Sequence, residues 1–164
     1  MSNIITEKSN TANIMVQQRT EWTKSFIDNN LKFHPKADKT VLQFIADFLY
    51  HGVPDITLEN SAESVRSTFR AGYCYYFAVM LQAAFQRGTI CWAAPFGHIV
   101  WVDENDVPYD IEGINDSECD YYIPISFMGV AINDFMHVES RDFNASDEDI
   151  QNIINKYKTS LEIT

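Results

Sequence analysis

With 164 residues, of which 46% are hydrophobic and 21% charged, the chain has the material for one domain with its own core and no need of a disulfide or metal staple. These values exclude bulk disorder and the collagen-like and mucin-like classes. Twelve Lys and Arg against 23 Asp and Glu give a net charge of −11; such a surface repels phosphate backbones, so direct nucleic-acid binding is not expected.

Residues 1–12 are polar and read as a flexible, frayed N-terminus without the basic-then-apolar pattern of a signal peptide. Residues 13–164 read as a single α+β domain. From Asn13 to Phe33 a helix is expected, with Ile14, Trp22, Phe26, Ile27 and Leu31 on a broad apolar side, and Pro35 breaks it. Asp38 caps a second helix whose Val41, Phe44, Ile45 and Phe48 follow helical spacing; His51-Gly52 and Pro54 end it. Residues 55–70 suggest an exposed, helical connection. Cys74 to Arg87 is nearly all apolar and reads as a central helix buried on most sides, with Gly88 as its C-cap.

The pattern then turns to strands. Thr89 to Ala94, His98 to Val102 and Val107 to Glu112 follow one another, with Asp103-Glu104-Asn105-Asp106 as turn material. Tyr121 to Ile125 and Phe135 to Val138 read as further strands. Ser146 with Asp149 resembles a capping box that starts a last helix through Ile150, Ile153, Ile154 and Tyr157. The layout is N-terminal helices and a buried central helix packed on an antiparallel sheet. The longest uncharged run, Ala71 to Gln86, is too short and too polar to span a membrane, and no membrane contact is expected.

Three cysteines, Cys74, Cys91 and Cys119, cannot all pair within the chain, which suggests a reducing, cytoplasmic compartment and leaves room for a working thiol. Cys74 is the candidate. Just after Gly72, at the head of an apolar helix, it feels unpaired N–H groups and the positive end of the helix dipole, and both favour thiolate. His98 is the candidate base, and Asp110 the group that orients it. The hairpin between them tests the pairing. A three-residue loop at 103–105 sets His98 directly opposite Asp110, with Cβ atoms roughly 4.5–5.5 Å apart. A five-residue loop at 103–107 sets Asp110 against Val100, diagonal to His98 on the same face. An even-length loop puts the two on opposite faces.

Gly72-Tyr73-Cys74 opening an apolar helix, then His98-Ile99-Val100-Trp101-Val102, then Tyr109-Asp110, resembles the Cys-His-Asp core of the papain-like superfamily, most of all its transglutaminase-like branch. The resemblance covers about residues 70–113. It implies that Cys74 attacks an amide or ester carbonyl, His98 shuttles the proton and Asp110 orients His98. It departs in two respects: Ser67-Thr68-Phe69-Arg70 holds no Gln to serve as oxyanion donor, which leaves backbone N–H groups near Cys74, and the interval from Cys74 to His98 is short.

The expected function is therefore cysteine-dependent acyl transfer of peptidase, deamidase or transglutaminase type. It would act on an amide bond of a protein or peptide, a basic one suiting the acidic surface, through a thioester and without a cofactor. Trp92, Phe96 and Trp101 are candidate groove residues. His34, His51 and His137 lack the spacing of a zinc site, and no metal site is expected. Residues 103–120 hold eight acids and no base. That segment and the net charge support an alternative, a non-enzymatic inhibitor or binding protein that occupies a basic site on a partner; a degenerate papain-like binding module is a third possibility.

Overall fold

The computed structural model describes residues 2–51, 58–70, 72–116, 118–128 and 146–163, with the side chains of residues 2–6, 51 and 58–61 outside the description. The first helix, α1, spans Ser2–Phe33. Residues 2–12, expected to fray, are therefore helical. The stretch has no Gly or Pro, and extending a helix from a docked half costs far less than starting one. Trp22, Phe26, Ile27 and Leu31 pack on the core, whereas Ile14 is exposed, because the helix outruns the body it covers.

Helix α2 (Lys39–His51) starts as expected at Asp38, whose Oδ1 accepts from the Thr40 N–H at 2.7 Å. Its Val41, Leu42, Ile45 and Leu49 are fully buried. The stop expected at Gly52 and Pro54 lies outside the described residues. Helix α3 (Leu58–Arg70) makes a full helix of the weak connection.

Helix α4 (Cys74–Phe85) is shorter than expected. Gln86, not Gly88, takes the left-handed conformation that closes it, with φ 52° and its N–H on the Gln82 carbonyl. Gly88 has another task. At φ +75° it passes so close to Val102 that an added Cβ would lie 2.5 Å from that residue's carbonyl oxygen. Nor is α4 buried on most sides. Phe77, Ala78 and Leu81 are buried, while Tyr76 and Val79 are exposed, because the helix lies with one side on the sheet.

Five antiparallel strands follow: β1 (Thr89–Ala94), β2 (Ile99–Val102), β3 (Pro108–Asp110), β4 (Gly113–Ile114) and β5 (Tyr121–Pro124). Their order is β4-β3-β2-β1-β5. Strand alternation separates two faces. Trp92, Ile99, Trp101, Tyr109 and Ile123 join the helices in the main core, while Cys91, Val100 and Val102 form a smaller cluster with Tyr122. Unforeseen, β4 folds back on β3 and is tied to α1, where Asn30 Oδ1 accepts the Ile114 N–H at 2.8 Å.

After a 3-10 turn at Ile125–Phe127, helix α5 (Asp147–Glu162) begins in the expected capping box: Asp149 N–H donates to Ser146 Oγ and Ser146 N–H to Asp149 Oδ2. The strand expected at Phe135–Val138 lies outside the described residues. The architecture of the described residues is α+β, five helices with a five-stranded antiparallel sheet. Among them no helix is long and apolar enough to cross a membrane.

Candidate active site

The β2–β3 register pairs Val102 with Pro108 and Trp101 with Tyr109, so the five-residue loop at 103–107 is the one adopted. Asp103 shapes it. Its Oδ1 accepts the N–H groups of Asn105 at 2.9 Å and Val107 at 3.0 Å, and its own N–H donates to the Val107 carbonyl. His98 and Asp110 are consequently diagonal rather than directly opposed. The diagonal is close enough: His98 Nε2 lies 2.9 Å from Asp110 Oδ2. The other carboxylate oxygen, Oδ1, accepts the Glu112 N–H at 2.8 Å. Asp110 is thus held by its own backbone on one side and holds the imidazole on the other.

Cys74 completes the group. It is the first residue of α4, near enough to His98 for each to shift the other's protonation. The backbone N–H groups of Ile99 and Tyr75 also point at the thiol. Burial pushes the Cys74 thiol up, but the hydrogen bond and charge of His98, with those two N–H groups, outweigh it and hold the thiol below its ordinary value. Burial likewise pulls His98 down, and the partners Asp110 and Cys74 reverse this, raising the imidazole to about 10. Both shifts favour a thiolate–imidazolium pair.

The start of α4 adds to this field. Tyr73, its N-cap, supplies no side-chain hydrogen bond, and the first helical bond is from Phe77 N–H to the Tyr73 carbonyl. The positive end of the dipole therefore falls on Cys74 without a capping oxygen to offset it. The pair is sheltered but reachable. The side chains of His98 and Asp110 are 19% and 10% exposed, and Cys74 is half-buried.

The other two thiols differ. All three cysteines are free. Cys91 is buried in the sheet, and desolvation pushes its thiol up to about 12, which makes it a poor nucleophile. Cys119 is half-buried and hydrogen-bonds Tyr122 on the sheet face away from α4.

The expected groove residues need correction. Trp92 and Trp101 are fully buried on the helix-facing side, where strand alternation puts them. Their indole N–H groups are used inside the protein: Trp92 donates to the Phe96 carbonyl, and Trp101 to Gln82 Oε1 and the Arg87 carbonyl. Phe96 is 51% exposed, in the loop that precedes His98. Sequence reasoning missed two exposed aromatics, Tyr73 and Tyr76, which flank Cys74 with ring centroids 5.9 Å apart. Their i, i+3 spacing about the head of α4 was the available signal.

Half of the eight acids in residues 103–120 have internal work. Asp103 shapes the loop, Asp110 holds His98, Glu104 pairs with Arg87 and Glu112 with Arg70. A 630 Å³ cleft between α1 and α2, lined by Arg19, Thr23, Ile27 and Asp47, contains none of Cys74, His98 or Asp110. Among the described residues no group of three or more His, Cys, Asp or Glu is placed to hold a metal ion.

No curated protein and no solved structure matches the chain. The family described as Phage YunG-like protein matches residues 51–156, nearly two thirds of the length and a span that includes Cys74, His98 and Asp110; the chain belongs to that family.

Proposed function

We propose that the protein is a cysteine-dependent acyl-transfer enzyme with a papain-like, transglutaminase-like arrangement. Cys74 is the nucleophile, His98 the proton carrier and Asp110 its orienting carboxylate. The observation that carries this reading is the 2.9 Å contact of Asp110 with His98, an imidazole that in turn holds the thiol of Cys74 below its ordinary pKa despite burial.

The thiolate attacks the carbonyl carbon of an amide, forming the S–C bond and an oxyanion. The Cys74 backbone N–H at the head of α4 is in place to donate to that oxyanion. Collapse breaks the C–N bond, and the imidazolium of His98 gives its proton to the leaving amine. Water or a second amine then attacks the thioester and returns a proton to His98, and the thiolate leaves. Free cysteines suit a reducing cytoplasm. The substrate is a protein or peptide.

An activated ester tests this without knowledge of the substrate. p-Nitrophenyl acetate should give a burst of about one nitrophenolate per chain, with the acetyl group mapped to Cys74. Cys91→Ala and Cys119→Ala should keep the burst and Cys74→Ala should lose it. A wild-type protein without a burst, or a burst that survives Cys74→Ala, overturns the reading.

A further inference from the structure

Gly97 stands between Phe96 and His98, and among the described residues nothing requires it to lack a side chain. A Cβ built on it meets no atom of the described residues within 4 Å. Its φ is not positive, so the left-handed conformation does not call for glycine there. The contrast with Gly88 and Gly113 is sharp: both have positive φ, and a Cβ would collide with the Val102 carbonyl oxygen at 2.5 Å and Asn30 Oδ1 at 2.3 Å respectively.

Gly97 immediately precedes the proton carrier in a loop held by hydrogen bonds. The Phe96 N–H donates to the Ala93 carbonyl at 3.0 Å, the Phe96 carbonyl accepts from the Trp92 indole, and the Ala93 N–H donates to the His98 carbonyl at 2.9 Å. Phe96, held there, leaves its ring 51% exposed. A bare, rigid backbone beside an exposed aromatic ring is suited to an extended chain laid against it.

We propose that Gly97 and Phe96 bind the leaving-group side of the substrate: the amine released from the scissile bond is carried on a peptide chain that crosses Gly97, with its first side chain, an apolar one, against Phe96. His98 sets the side, since the group that protonates the leaving nitrogen must lie next to it. The inference rests on the acyl-transfer reading and narrows it to peptide-bond chemistry, against release of ammonia from a side-chain amide.

The test uses the full chain and a mixed octapeptide library, with cleavage sites read by mass spectrometry and kcat/KM measured on the best peptide. Iodoacetamide alkylation of Cys74 serves as the control for an intact site. Gly97→Ala should lower kcat/KM about tenfold and Gly97→Val about a hundredfold, mainly through KM, with alkylation within about twofold of wild type. Phe96→Ala should erase the preference for an apolar residue just beyond the cleaved bond. Equal kcat/KM in wild type and Gly97→Val overturns the inference. So does a protein that is acetylated at Cys74 by p-nitrophenyl acetate yet cleaves no peptide, an outcome that leaves the acyl-transfer reading standing. Absence of acetylation removes both.

Discussion

The carboxylate of Asp110 reaches Cys74 only through His98. Against burial, its hydrogen bond and charge join those of Cys74 in raising the imidazole to about 10, and the imidazolium in turn holds the thiol down. Asp110→Asn separates that charge from its geometry, because an amide oxygen can still accept the Glu112 N–H that fixes the side chain. Without the charge His98 titrates at lower pH, and Cys74 loses its cationic partner as the pH passes that value. The pH profile of iodoacetamide alkylation should therefore shift upward in Asp110→Asn, with the rate at pH 7 about 10–100-fold below wild type. Superimposable profiles would mean that Asp110 is a structural acid only. In Cys91→Ala the profile should not move, since that thiol is kept neutral by burial.

At the scale of elements, the β2–β3 hairpin carries the site, and Tyr109 ties it to the helical layer. The fully buried Tyr109 hydroxyl accepts the Asp38 N–H at 2.7 Å and donates to Asp103 Oδ2 at 3.2 Å. It thus joins the cap of α2 to the residue that shapes the hairpin loop. Tyr109→Phe leaves a donor and an acceptor unsatisfied and should cost about 1–3 kcal/mol in urea unfolding followed by tryptophan fluorescence. A loss under about 0.5 kcal/mol would show that the link is not used. This hairpin also shows what local sequence can and cannot carry. That His98 and Asp110 share a face was readable, because both odd loop lengths preserve it. The loop length was not, because the Asp103 side chain selects it by taking the N–H groups of Asn105 and Val107. The uniform apolarity of α4 hid its one-sided burial, since a run without period names no face. Trp92 and Trp101 were misplaced for a related reason: alternation separates two faces but does not say which one the helices cover. The extension of α1 through residues 2–12 depended on docking elsewhere, beyond the reach of any local signal.

Over the whole molecule, two opposing pH dependences act on stability. Asp38 is pushed up by burial, yet the Thr40 N–H and Arg87 hold it below the usual carboxylate range. Its contribution is present above the ordinary carboxyl value and is lost as the pH falls through the depressed one. His98 works in the other direction. Its folded value, about 10, lies above the ordinary imidazole value of 6.5. The folded state therefore binds this proton more tightly, with the contribution full below 6.5 and lost as the pH rises through about 10. In a Cys74→Ala background, where no thiol proton is exchanged against the imidazole's, the stability gap between the chain with Asp110 and the chain with Asp110→Asn isolates what Asp110 does to His98, because the two differ in that charge and share the Asp38 cluster. Above pH 6.5 that gap should shrink progressively, as measured by urea unfolding at fixed ionic strength. A net charge of −11 makes fixed ionic strength essential, since general repulsion also grows as the pH rises. That repulsion acts on both proteins nearly alike and cancels in the difference. A gap constant above pH 6.5 in the Cys74→Ala background would mean that Asp110 does not hold His98 protonated in the folded protein, and the thiolate–imidazolium pair would lose its thermodynamic footing.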